Sequence, residues 1–281
     1  MRKSGLPLFL TLAFALPWLV WFTGIAEAAG LISWHIPDSL AFWLGLTIAT
    51  YSAAALTGGW PAVRDLLVRL VRVRVQARWY LIAALLTPAI AAAALGVGRL
   101  TGASAHLETM EPGALAALLA LNLWLFLLTE ETAWRGFLLP RLQAQMTPLS
   151  AALLVGLIWG VWHIPLFLKP DSFQASIPFA GFMVSILATS VLTSWIFNHA
   201  RGSVVLVALF HAMTDVAIAV LGVMSSGPVL FWVFVALQCL AAAAVAPSLR
   251  TSLLGSRELV WPSDAAAPDW TESAHREALH E

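Results

Sequence analysis

A single cysteine, Cys239, stands in 281 residues, which excludes an internal disulfide and any cysteine-built metal cluster. It falls in an apolar run and reads as a small core residue. Charge is scarce as well: 11% of residues are charged, where a soluble domain carries about 25%. With 60% hydrophobic residues and a mean hydropathy of +0.84, the chain is too apolar for an ordinary soluble domain. Its formal net charge is zero, which gives no electrostatic reason to expect nucleic acid. A Gly-rich phosphate loop and internal repeats are also missing.

What is present is a series of long apolar runs. Stretches of about 20 apolar residues predict an all-α polytopic membrane protein with about eight transmembrane helices, at 6–29, 38–57, 79–98, 114–139, 149–168, 178–198, 203–223 and 228–247. The first run follows Arg2 and Lys3 as a signal sequence would. It is long, contains Pro7 and Pro17 and lacks a convincing small-residue cleavage site, so it is read as a membrane helix. Residues 1–247 then form an integral membrane domain. Residues 248–281, rich in Ser, Asp, Glu, Pro and Ala, are expected to be a mobile cytoplasmic tail.

Placing the basic residues on this topology sets an expected orientation. With the N-terminus in the cytoplasm, Arg2, Lys3, Arg64, Arg69, Arg72, Arg74, Arg78, Arg135, Arg141, Arg201, Arg250, Arg257 and Arg276 fall inside, and only Arg99 and Lys169 fall outside. The positive-inside rule therefore predicts a multi-pass cell-membrane protein with both termini cytoplasmic. The 58–78 segment is expected either as a solvated loop or as a short basic amphipathic helix on the lipid surface.

Ionisable groups are costly in hydrocarbon and mark the place to look for chemistry. Within the spans, away from the end residues such as Glu27 and Asp38, they are Glu130, Glu131, Arg135, His163, His211 and Asp215. Glu131 and Arg135 are four apart on one helical face and suit an ion pair, which leaves Glu130, about 100° around the helix, as the free acid. His211 and Asp215 are also four apart. A rise of ~1.5 Å per residue puts Glu130, His163, His211 and Asp215 at roughly 13–20 Å from the cytoplasmic helix ends. That depth suggests one cavity opening toward the cytoplasmic side.

Two chemistries suit such a set. His163, His211 and a carboxylate such as Asp215 can hold zinc or another divalent metal whose bound water attacks a peptide carbonyl. Alternatively, without metal, Glu130 takes a proton from water while His163 or His211 and Asp215 stabilise the oxyanion. Blander readings exist for each piece. Glu131 with Arg135 is most simply a helix-locking pair, a membrane histidine is often an interhelical hydrogen bond, and Glu130 alone suits a proton-coupled transporter. A non-catalytic immunity or scaffold protein is the remaining alternative. Convergence of several costly groups from three spans at one depth favours a site.

These residues resemble a known family. Glu130-Glu131-Thr132-Ala133-Trp134-Arg135 resembles the EExxxR motif of the type II CAAX prenyl endopeptidases, the CAAX protease and bacteriocin-processing family. Trp159-Gly160-Val161-Trp162-His163 is similar to its second motif, with Trp where Phe is usual, and Phe210-His211-Ala212-Met213-Thr214-Asp215 to its later one, with Asp where Asn is frequent. The resemblance implies an intramembrane endopeptidase acting on a membrane-anchored peptide or protein within membrane lipid, with prenylated CAAX tails as the eukaryotic substrate. It implies Glu130 as the water-activating glutamate, Glu131 and Arg135 as its support, and His163, His211 and Asp215 in the site. Ionised Asp accepts but cannot donate a hydrogen bond, so Asp215 leans toward metal ligation or toward orienting His211.

Other intramembrane proteases lack their signatures here. No HExxH exists, Asp215 has no second membrane aspartate to partner it, and neither Ser185 nor Ser203 lies in a Gly-x-Ser-Gly context.

Overall fold

The computed structural model describes residues 5–102, 107, 109–223 and 226–250. The expected tail boundary at 248 thus falls at the edge of what is described, and residues 251–281 lie outside it. Every regular element among the described residues is helical: α1 Leu6–Ala28, α2 Thr47–Leu70, α3 Ala77–Leu100, α4 Pro112–Leu128, α5 Leu139–Gln143, α6 Pro148–Trp162, α7 Ile164–Leu168, α8 Phe179–His199, α9 Val204–Val220 and α10 Pro228–Val245. Wider π-helical turns, Ala41–Leu46 and Thr132–Leu138, lead into α2 and α5.

Seven of the resulting rods are long and apolar enough to cross a membrane, and the 17-residue α9 is an eighth, shorter apolar helix. The expected all-α polytopic architecture is present. At ~1.5 Å per residue α9 is roughly 26 Å long, a little under the hydrocarbon thickness of about 30 Å.

Packing is tightest where small residues let backbones approach. A Cβ added at Gly156 of α6 would sit 2.8 Å from the Ser190 Cβ of α8, and Ser190 Oγ donates to the Ala152 carbonyl at 2.7 Å. In lipid there is little hydrophobic drive between helices, so close van der Waals contact and such hydrogen bonds hold them together. Indoles tie α1 to α6: Trp162 Nε1 donates to the Ala13 carbonyl at 2.9 Å, and Trp18 Nε1 to the Trp162 carbonyl at 3.0 Å. Around them α9 packs on α3 and α4, and α10 on α8 and α3.

Three spans differ from the uniform rods that periodicity predicts. Span two runs on past residue 57 to Leu70 through a kink at Gly59, whose φ of 64° suits glycine. The segment beyond is neither a solvated loop nor a free surface helix, because Asp65, Leu66 and Arg69 are buried and Arg69 Nε binds Asp65 Oδ2 at 2.6 Å. Span four breaks at Thr129 (φ −118°, ψ −85°) before its π-helical turn. Span five breaks at His163, two residues before Pro165. Both of these breaks carry predicted site residues.

Candidate active site

The break in span four sets the acidic pair. The Thr129 and Thr132 hydroxyls donate to the Leu125 and Leu127 carbonyls, both at 2.6 Å, satisfying groups exposed where the helix is interrupted. The interruption lets Glu130 and Glu131 leave in different directions. Glu130 Oε2 accepts from the indole of Trp159 at 2.6 Å and from that of Trp134 at 3.3 Å. Its other oxygen, Oε1, has no hydrogen-bond partner among the described residues. Glu130 also lines a cavity of about 600 Å³ whose wall includes His163, His211 and Asp215.

Glu131 turns into the protein, fully buried. Its Oε1 accepts from Arg135 Nη1 at 3.0 Å, as the four-residue spacing predicts, and also from His211 Nδ1 at 2.7 Å. The second contact goes beyond a helix-locking pair, because it ties Glu131 to a histidine of another span. Arg135 is likewise fully buried; its guanidinium carbon lies 4.6 Å from the centre of the Trp159 ring, a cation–π contact that supplies favourable surroundings in place of water.

The break in span five orients His163. Its backbone N–H bonds back to the Gly160 carbonyl at 3.2 Å, which frees the Trp159 carbonyl to accept from His163 Nδ1 at 2.8 Å. Because a carbonyl only accepts, the proton is on Nδ1 and Nε2 is the nitrogen left for the cavity. His211 is fixed differently. It stacks on Phe126 with ring centres 3.7 Å apart and 2° between planes, and meets Trp159 edge-on at 5.1 Å. With Nδ1 committed to Glu131, its Nε2 is also the free nitrogen.

Asp215 reaches the same cavity but bonds neither His211 nor any other group among the described residues, so it does not orient that ring. The fit of a metal is poor as well. No three His, Cys, Asp or Glu side chains among the described residues are grouped so as to hold an ion, so His163, His211 and Asp215 share a cavity without forming a ligand set.

Two features escape a reading of charges alone. One is the pair of indole donors on Glu130, of which Trp159 occupies the motif position where Phe is usual. The other is a neutral ledge on the same cavity wall: Ser185 Oγ donates to Gln238 Oε1 at 2.5 Å, and Gln238 Nε2 donates to Thr189 Oγ1 at 3.4 Å. A glutamine inside the apolar run 228–247 is the signal that would have found it.

The cavity runs toward one end of the bundle. From Glu130 at its base it extends to Phe42, to Leu118 of α4, to Ile218 and Ala219 near the end of α9, and to Phe173, Gln174 and Ile177 between α7 and α8. These lie at the end of the molecule opposite the start of α1. Toward the α1 start the base is closed by Trp134, Arg135, Phe137 and Leu138, all with no exposed surface.

With this geometry in place, comparison with known proteins is informative. Residues 112–217, which hold all three motifs and most of the cavity's charged groups, match the family described as Type II CAAX prenyl endopeptidase Rce1-like. A protein of Methanococcus maripaludis named CAAX prenyl protease 2 is 32% identical over 92 residues, 31% of this chain. The match spans 34% of that relative's length, about a third. The resemblance drawn from the motifs therefore holds over the segment that builds the site.

Proposed function

We propose that the protein is an intramembrane endopeptidase that hydrolyses a peptide bond of a membrane-associated substrate with a glutamate-activated water. The observation that carries this reading is Glu130: one carboxylate oxygen is tied to two indoles while the other has no partner among the described residues, on the wall of a cavity that also holds both histidines. Glu131 also has one oxygen without a partner among the described residues, but it is sealed inside the protein, whereas Glu130 lines the cavity.

The residues suggest a division of labour. Glu130 Oε1 and His163 Nε2 accept the two hydrogens of a water between them. Glu130 takes one proton as the oxygen attacks the scissile carbonyl, forming the new C–O bond. His211 acts as the imidazolium: its Nδ1–H is held by the Glu131 carboxylate and its Nε2–H donates to the resulting oxyanion, the arrangement in which a carboxylate steadies an imidazole from behind. The C–N bond then breaks, and the proton held by Glu130 passes to the leaving amine. Arg135 balances Glu131, Asp215 accepts a hydrogen bond from a substrate N–H, and the Ser185–Gln238–Thr189 ledge holds the peptide backbone. The CAAX name of the relative makes a lipidated C-terminal peptide the first substrate to try, and Phe42, Phe126, Phe182 and Ile186 give the cavity an apolar wall for it.

The test is cleavage of a membrane-anchored fluorogenic peptide by purified protein in lipid. Wild type cleaves, while Glu130→Gln and His163→Ala fold yet do not. Cleavage by both variants at the wild-type rate would end the assigned roles, and no cleavage by wild type, with the cellular phenotype kept in both variants, would favour a scaffold. Uptake driven by a pH gradient and lost in Glu130→Gln would favour a transporter instead.

A further inference from the structure

We infer that Asp215 selects substrates that carry a cationic side chain, lysine or arginine, close to the bond that is cut. The selection rests on the peptidase reading for its reaction and on the polar make-up of one cavity wall for its sign.

Charge around the cavity does not balance. The carboxylates of Glu130 and Asp215 line it, and no lysine or arginine is found among its described lining residues. Behind the wall, Arg135 and the imidazolium of His211 both bind the same oxygen of Glu131. Three acids thus meet two cations that are both spent on one of them. Glu130 has the indole N–H groups of Trp159 and Trp134 in compensation, whereas Asp215 bonds no group among the described residues. A carboxylate inside a membrane protein is costly without a counter-charge, so the cation that offsets Asp215 is best supplied by whatever fills the cavity.

The groups beside Asp215 call for a donor as well. α4 packs on α9, with Phe126 stacked on His211. One turn back along α4 is Asn122 and one turn on along α9 is Asp215, both on the cavity wall. Asn122 Nδ2 donates to the Leu118 carbonyl at 3.0 Å, which engages the amide nitrogen within its own helix and leaves Oδ1, an acceptor. The Thr214 hydroxyl is taken up by Thr87 Oγ1 at 2.9 Å and the Phe210 carbonyl at 2.8 Å. What the α4–α9 wall offers is therefore a set of acceptors: the Asp215 carboxylate and Asn122 Oδ1. An ammonium brings three donors and a guanidinium five, each with the missing charge; a hydroxyl brings one donor and no charge. Leu118, Ile218 and Ala219, on the same two helices, provide apolar surface for the carbon stem of such a side chain.

Helix geometry sets the place on the substrate. Asp215 lies one turn from His211, roughly 6 Å along α9, and an extended peptide advances ~3.3 Å per residue. The cationic residue then falls about two positions from the carbonyl whose oxyanion His211 receives. Asn, frequent at this motif position, carries both donor and acceptor but no charge, so it would not impose the same choice. A substrate with an apolar side chain there leaves the acceptors unpaired, which is how a polar subsite rejects an analogue that lacks the matching group.

Full-length His163→Ala protein in lipid nanodiscs separates binding from cleavage and keeps every charge in place. The probes are membrane-anchored fluorescent peptides that differ only in having lysine, norleucine or glutamate walked along the sequence. At one position lysine should bind at least about tenfold tighter than norleucine, with glutamate weakest. Asp215→Asn in the same background, a side chain of the same size, should cut that preference below about threefold, and Asp215→Lys should shift it toward glutamate. Equal binding of lysine and norleucine at every position would overturn the inference, as would a lysine preference that survives Asp215→Asn, or failure of every peptide to bind. None of these readouts requires catalysis. Wild-type protein that shows the preference yet cleaves none of the lysine peptides would overturn the peptidase reading and leave the selection by Asp215 standing.

Discussion

Trp159 Nε1 donates to Glu130 Oε2 at 2.6 Å, joining the span-five motif to the span-four acid. Phenylalanine, the usual residue at this motif position, has no donor to offer. The indole therefore joins two residues 29 apart in sequence and leaves Oε1 as the oxygen of Glu130 that remains for water.

Trp159→Phe should keep the cavity shape and lose that hydrogen bond. A hydrogen bond to a charged group is worth about 1.5–3 kcal/mol, which corresponds to roughly ten- to a hundredfold. The expected result is a fall of that size in kcat with KM changed less than about threefold, measured on the membrane-anchored peptide. Unchanged kcat would show that Trp134 alone suffices to position the carboxylate.

Arg135→Met removes one partner of a fully buried ion pair and leaves Glu131 with His211 as its sole neutralising neighbour. Breaking such a pair typically costs about 3–5 kcal/mol. Thermal unfolding in detergent micelles should show a clear loss of stability relative to wild type. The double variant Arg135→Met/Glu131→Gln should recover part of it, because the uncompensated charge is gone; no recovery would mean that packing of Arg135 on Trp159, not charge balance, is what the pair provides.

Metal removal distinguishes the two chemistries left open by the residues. Since His163, His211 and Asp215 are not grouped as ligands, activity should survive dialysis against a strong chelator, and purified protein should contain far less than one equivalent of zinc. Activity lost on chelation and restored by zinc would require a rearranged site with the histidine Nε2 atoms turned to a common ion.

Gln238→Leu tests the ledge. Leucine keeps the volume and removes both hydrogen bonds to Ser185 and Thr189. The expectation is a rise in KM of about tenfold with kcat little altered, since one neutral hydrogen bond contributes about 0.5–1.5 kcal/mol. A drop in kcat at constant KM would place the ledge in the chemical step.

Much of the architecture was legible because membrane helices announce themselves one at a time. A run such as 79–98 needs no knowledge of its neighbours to be read, and it appears as α3 with its ends displaced by two residues. The Glu131–Arg135 pair was legible for the same reason, as a contact within one turn. The Gly59 kink and the burial of Asp65 and Arg69 were not, because they depend on what packs beside α2.

The sequence by itself determined that costly groups sit on spans four, five and the α9 span, at comparable depth. Only tertiary structure decided their partners: which glutamate meets His211, that Asp215 stands apart, and that Glu130 and both histidines line one pocket. The physical reason is that hydropathy and periodicity record where a residue lies along its own helix, whereas bonding direction is set by helix breaks at Thr129 and His163 and by side chains arriving from elsewhere in the chain.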